Sequence, residues 1–416
     1  MPLASIPFRQ FLQLPKHLTG KGLPIIWLIL AIAYGWYSGI RQVAHGDVFV
    51  FYTSGLNFMN GLSLYSGKAS GLTFMYPPFA AVLHQGLAVF PLSVAGGIFA
   101  GLNFLALGFL VVFSWNWFQL RWNASDPALL MAIFLCLFYF YLNLELGQNN
   151  IFLLTGSFIG MELWFRKKYL WAGSLLMMVV FIKITAVFLL IWMVIRGSSR
   201  FLLGLALGLV ICLITPVLFR GLEQSIQDWQ EFYFYFFRYM LAGHVYTDLR
   251  NQNLAATLLR LLCEPGGRYP HADVSIFSFN PFWVKQVVKW LQILTCLALA
   301  CWMLIRRTKG QKVILAEIAL FLCFSQLFSG LTWNQHLVML LPVALIGSEN
   351  YLRYRSFIHL LFLGILLAAS FTGKLFLGTQ FQFYAYSIGI FTWILVFSSV
   401  YLIWEIIQDK PKIELL

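Results

Sequence analysis

The sequence predicts an all-α polytopic membrane protein, and three observations carry that prediction. The 416 residues are 60% hydrophobic, 18% aromatic and only 10% charged, whereas a soluble domain is roughly 45–50% apolar and about 25% charged. Apolar runs near the roughly 20 residues that cross a bilayer recur along the chain. The basic residues behind the net charge of +13 punctuate these runs instead of forming one surface. That is the pattern of topological anchors beside anionic headgroups, so membrane lipids are expected partners and nucleic acid is not. The six cysteines include no C-x-x-C pair, which argues against a zinc site or a disulfide framework.

Hydropathy places spans, in order, at 23–40, 94–115, 128–142, 150–165, 169–181, 185–195, 201–219, 284–305, 313–328, 334–346, 357–371 and 384–406. The first is longer than the apolar core of a signal peptide and lacks a small-residue cleavage site, so it is expected to remain as a span. The fifth and sixth are short and meet at Lys183. Read as one helix, they would put that lysine near mid-membrane, at a cost of roughly 2.5–3.5 kcal/mol. Basic clusters at Arg9/Lys16/Lys21, Arg121, Arg166/Lys167/Lys168, Arg196/Arg200, Arg306/Arg307/Lys309/Lys312, Arg353/Arg355 and Lys410/Lys412 should all be cytoplasmic. They can be so together only if 169–195 goes up and returns as a half-length hairpin with Lys183 at its apex. Irregular backbone at that depth requires a protein-lined cavity. The expectation is one integral membrane domain over 1–416, with short cytoplasmic tails and outer-face loops at 41–92 and 220–283.

This topology leaves four polar segments outside, at 42–84, 145–149, 220–281 and 329–335. The cytoplasmic loops contain no nucleotide-binding glycine motif, so chemistry is expected on the outer face. Asp47 follows the first span and precedes an aromatic amphipathic stretch, 48–64. It reads either as a helix N-cap or solvated acid, or as a general base whose pKa partial desolvation raises. No second carboxylate accompanies it in its segment, which disfavours a two-carboxylate hydrolase. Tyr76-Pro77-Pro78 supplies a rigid helix start. Gln148 and Asn149 form a tight turn with an N-cap, or an amide site for a hydroxyl-rich ligand. Lys183 offers a point charge to a phosphate. The segment "WQEFYFYFFRYM" suits a helix lying in the interface. His244, Arg250, Asn251 and Gln252 follow it, Arg250 being either a bidentate phosphate ligand or a headgroup anchor. Trp333 and His336 stand at the start of another span, where a lone histidine is usually structural but one beside Trp, Asn and Gln can bind phosphate or position a base.

Together, "GDVFVFYTSGLNFMNGLSLY" with "FMYPPFAAVL", "ELGQNNIFLLTGSFIGMELWFRKKYLWAGSLLMMVVFIKIT", "RNQNLAATLLRLL" and "TWNQHLVMLLP" resemble glycosyltransferase family 87. These are the polyprenol-phosphate-mannose-dependent α-mannosyltransferases of the GT-C type. The resemblance covers most of the chain, residues 25–342. It implies a GT-C-like bundle of about 11–12 transmembrane helices with interfacial helices on the outer face. It further implies Asp47 as catalytic base, a polyprenyl-phosphate sugar donor with mannose as the expected hexose, and a lipid or glycan acceptor. Lys183, His336 and Arg250 are then expected at the donor phosphate, and Tyr76, Gln148, Asn149, His244, Asn251, Gln252 and Trp333 at sugar or acceptor. No metal and no cofactor are expected, in keeping with the lack of an Asp-x-Asp motif. The implied reaction is an inverting transfer at the periplasmic or extracellular side of the cell membrane. This chain departs from the family pattern twice. It reads Lys183-Ile184-Thr185-Ala186 where a proline commonly follows the lysine, and Gln335-His336 where many members carry paired histidines. The rival class is a transporter or flippase of lipid-linked sugars, which would distribute polar residues along a path through both leaflets. Here they gather at one predicted face.

Overall fold

The computed structural model describes residues 23–41, 46–65, 74–184, 187–264, 273–309 and 313–408, with residues 7, 10–11 and 13 besides. The expected anchors Arg9, Lys16, Lys21, Lys312, Lys410 and Lys412 lie outside the described residues. So do Thr185 and Ala186 of the expected hairpin apex, and parts of both large outer loops. The described residues are helical, without a β-strand. The helices are α1 (Leu23–Arg41), α2 (Val48–Met59), α3 (Pro78–Ala88), α4 (Leu92–Trp122), α5 (Asp126–Leu146), α6 (Asn150–Phe165), α7 (Tyr169–Ile182), α8 (Val187–Arg196) and α9 (Ser199–Arg220). After them come α10 (Leu222–Phe232), α11 (Arg238–Leu241), α12 (Leu254–Leu262), α13 (Pro281–Thr308), α14 (Leu315–Leu327), α15 (Leu341–Tyr354), α16 (Phe357–Ser370), α17 (Lys374–Ser387) and α18 (Ile390–Ile407).

Among the described residues, α1, α4, α5, α9, α13 and α18 are long and apolar enough to cross a bilayer, and α2, α6, α7, α8, α14 and α16 are apolar but shorter. Helix α1 leaves Trp36 78% exposed and Ile40 69% exposed. Surface that apolar requires a lipid environment. The protein is therefore an all-helical, polytopic membrane protein.

Two expected spans need correction. The segment 334–346 begins as a 3₁₀ helix, Asn334–Leu340, and only then becomes α15. Pro342 in the first turn of α15 lacks the N–H that a continuous α-helix would use there. The segment 384–406 is likewise split, because α17 ends at Ser387 and Gly389 turns the chain at φ 76° before α18. Only glycine takes that conformation without strain.

The contacts divide the chain into two compact units that interleave in sequence. One comprises residues 1–117, 140–186 and 197–242, and the other comprises 118–139, 187–196 and 243–416. In the first unit, α1 lies against α4 through glycines. A Cβ on Gly35 would sit 2.6 Å from the Gly97 carbonyl oxygen, and one on Gly39 2.6 Å from that of Ser93. Small residues allow this close approach of helices in lipid. Helices α7 and α9 pack the same way: a Cβ on Gly204 would meet Leu170 O at 2.3 Å, and one on Gly208 would meet Ser174 O at 2.6 Å. The pairings advance together along both helices, so α7 and α9 run parallel. Lys168 and Ser198, which precede them, lie at the same end, and the intervening chain must return.

At that end Glu162 accepts from Trp117 Nε1 at 3.0 Å and pairs with Arg166 at 2.5 Å. From Glu162, α6 leads back to Asn150 at the opposite end; its 16 residues rise about 24 Å. In the second unit Glu317 is fully buried and holds Arg196 at 3.0 Å and Arg306 at 2.6 Å. This ties α8, α13 and α14 together. From Glu317, α14 leads to the segment that carries Trp333 and His336.

Candidate active site

At the far end of the first unit, Asp47 lies within electrostatic reach of Tyr76 and Lys183. Its backbone N–H donates to Leu146 O at 3.0 Å, which pins the start of α2 to the end of α5. Asp47 occupies the N-cap position of α2, yet its side chain makes no capping hydrogen bond. The half-buried carboxylate is therefore not spent on helix initiation. Tyr76 packs on Phe51 with ring centroids 5.5 Å apart and takes the Tyr65 hydroxyl on its carbonyl at 2.7 Å. Desolvation pushes the Tyr76 phenol well above its usual value, and the Asp47 charge adds to the push. Tyr76 thus stays a neutral hydroxyl beside Asp47.

Lys183 ends α7 in an extended conformation, φ −154° and ψ 119°. The helix breaks at the lysine, whose side chain is buried. Its Nζ donates to Asn150 Oδ1 at 2.8 Å and lies 5.9 Å from the centre of the Tyr76 ring. Asp47 is within electrostatic reach of it. The first unit therefore brings together Asp47, Tyr76 and Lys183.

Gln148 and Asn149 sit in the turn between α5 and α6, where Gly147 takes φ 61°. Asn149 is the N-cap residue of α6 but caps nothing with its side chain. Both residues are buried, and Gln148 Oε1 and both side-chain polar atoms of Asn149 have no hydrogen-bond partner. A buried amide without a partner costs roughly 1–3 kcal/mol. Unpartnered amides of this kind suit hydroxyls that a ligand would bring.

In the second unit, Trp333 N–H donates to His336 Nδ1 at 3.3 Å. A neutral His336 then carries its proton on Nε2, where the ring is a donor. Arg250 lies with its guanidinium 5.3 Å from the centre of the Trp333 ring and is bound to Asp248 through Nε at 2.9 Å and Nη2 at 2.8 Å. His244 is exposed in the segment after α11.

Asn251 and Gln252 are fully buried. Asn251 Nδ2 donates to Tyr246 O at 2.8 Å, and its Oδ1 accepts from Thr332 N at 3.0 Å. Gln252 Nε2 donates to Leu249 O at 2.6 Å and Tyr386 O at 2.8 Å, while its Oε1 accepts from Phe391 N at 3.2 Å. These amides are engaged with backbone.

Arg260, absent from the sequence-based candidates, completes this loop. Its guanidinium donates to Ser387 O at 2.8 Å, Asn251 O at 2.9 Å and Asp248 O at 3.0 Å. The available signal was a lone arginine inside the apolar run 254–262. Asn143 and Asn150 were likewise unassigned; the turn between α5 and α6 brings their amides together and Asn150 to Lys183, which their spacing in the sequence does not announce.

The family model for glycosyltransferase family 87 matches residues 74–330, more than half of the sequence. The chain belongs to glycosyltransferase family 87. It is accordingly a membrane glycosyltransferase, which uses a sugar donor and an acceptor. The matched region of this family 87 chain contains Tyr76, Gln148, Asn149, Lys183, His244, Arg250, Asn251 and Gln252; Asp47 precedes it, and Trp333 and His336 follow it. Neither a curated protein nor a solved structure gives a significant match to the chain.

Proposed function

We propose that this family 87 member transfers a hexose, with mannose the expected sugar, from a polyprenyl phosphate to a hydroxyl of a lipid or glycan acceptor. The reaction is a single inverting displacement on the periplasmic or extracellular side of the cell membrane. The observation that carries the reading is the Asp47 carboxylate, held beside Tyr76 and Lys183 and not used as a helix cap. The acceptor hydroxyl gives its proton to Asp47 while its oxygen attacks the anomeric carbon. The bond from that carbon to the phosphate oxygen breaks on the opposite face, and its electron pair leaves with polyprenyl phosphate. A positioned base of this kind contributes about 10²–10⁴-fold.

Lys183 opposes the charge that develops on the departing phosphate. Gln148, Asn149 and Tyr76 receive sugar or acceptor hydroxyls, which the unpartnered amide atoms support. In the second unit, His336 through Nε2–H and Arg250 are the groups suited to a phosphate, and Trp333 and His244 are those suited to a sugar or acceptor. Asn251 and Gln252 act one step back, by fixing the backbone on either side of Arg250. The test is transfer from a panel of radiolabelled polyprenyl-phosphate sugars by membranes with and without the protein. Protein-dependent transfer of one hexose is expected. Transfer from a nucleotide sugar and from none of the lipid monophosphates would overturn the reading.

A further inference from the structure

Two amides outside the residues assigned above hold the ammonium of Lys183 in line. Nζ donates to Asn150 Oδ1 at 2.8 Å, and Asn150 Nδ2 donates to Asn143 Oδ1 at 2.9 Å. Asn143 is fully buried in the last turn of α5, and Asn150, also buried, opens α6. The relay therefore bridges the turn that presents Gln148 and Asn149. That turn is itself closed by Gln148 N–H donating to Asn143 O at 2.9 Å.

The chemistry of the relay has a direction. An amide side chain accepts on oxygen and donates on nitrogen, whereas an ammonium only donates. Asn143 Oδ1 takes the NH₂ of Asn150, which leaves the Asn150 carbonyl oxygen toward Lys183. With that acceptor removed, the Asn150 amide loses the bond that anchors its nitrogen, and its carbonyl oxygen follows a mobile ammonium instead of holding it in one place. A lysine is a compact charge on a flexible four-carbon stem, so its aim depends on what grips the ammonium. Tyr76 beneath it, at 5.9 Å, restricts one side, and Asn150 fixes the other.

We propose that Asn143 is a positioning residue that sets the orientation of the Asn150 amide and thereby aims Lys183 at a lipid monophosphate. The proposal rests on the reading of Lys183 as a ligand of the donor phosphate.

The experiment measures binding of farnesyl phosphate and of farnesol to the full-length protein in detergent. It compares wild type, Asn143→Leu, Asn143→Asp and Lys183→Met. A charge-assisted hydrogen bond is worth about ten- to a hundredfold in affinity, which is the loss expected for farnesyl phosphate in Lys183→Met. Asn143→Leu should weaken farnesyl phosphate by about tenfold, within the same range, and leave farnesol binding unchanged. Asn143→Asp keeps an oxygen acceptor for Asn150 Nδ2 in the same place and should restore most of that loss. If Asn143→Leu binds both ligands as wild type does while Lys183→Met loses the phosphate, the relay is refuted and the phosphate site stands. Equal weakening of phosphate and alcohol in Asn143→Leu would reduce Asn143 to a structural residue. Undiminished farnesyl phosphate binding by Lys183→Met would remove the phosphate site itself, and the relay with it.

Discussion

Asn149 and Gln252 are both buried amides at polar ends of their units, and their hydrogen bonds give them opposite roles. Both side-chain polar atoms of Asn149 lack a partner, so Asn149→Ala removes no internal bond. Its stability should hold or rise, while the apparent KM for donor or acceptor should rise by about two- to tenfold, the worth of one ordinary hydrogen bond. Gln252→Ala should do the reverse. It would strand the groups that Gln252 now satisfies on Leu249, Tyr386 and Phe391 and cost about 1–3 kcal/mol of stability. Melting temperature and steady-state kinetics measured on both variants test the contrast, and an unstable Asn149→Ala protein with normal kinetics would reverse the assignment. Sequence reasoning could not separate the two, because the pattern of amides does not say whether backbone or ligand answers them. Asp47, Lys183 and the Gln148-Asn149 pair stood out as polar residues against apolar surroundings. Asn143 and Arg260 also interrupt apolar runs, but their importance lies in what they touch, which the runs do not announce.

At the scale of elements, glycine contacts position the ends of the helices that carry the site. Gly39 lies two residues before the end of α1, and a Cβ there would come within 2.6 Å of Ser93 O. The obstacle is backbone, which cannot rotate away. Gly39→Val should push the end of α1 off α4 and shift the segment leading to Asp47. A displacement of about 1 Å can cost about 10² in rate. The variant, reconstituted and assayed for transfer, is expected to lose at least that much while still inserting into the membrane. Full activity would mean that the α1–α4 contact does not control where Asp47 sits. Most helices were legible from hydropathy, α6 to the residue, because their runs are long and uninterrupted. The breaks at Gly389 and ahead of Pro342 were not, since they arise from backbone conformation inside apolar sequence.

For the whole molecule, the parallel course of α7 and α9 places Lys168 and Ser198 at one end, the end that the proposed orientation sets in the cytoplasm because of its basic surroundings. Cysteines introduced at both positions, in a background without accessible native cysteines, should both resist an impermeant thiol reagent applied to intact cells. Labelling of both from outside would invert the proposed orientation of the site. The central claim, that Asp47 is the catalytic base, is tested most directly by the rate of hexose transfer from polyprenyl phosphate by purified, folded Asp47→Asn protein. This variant keeps the size and most of the hydrogen bonding of the side chain but cannot take the acceptor's proton. The account predicts retained farnesyl phosphate binding with transfer reduced about 10²–10⁴-fold; transfer at the wild-type rate would contradict it.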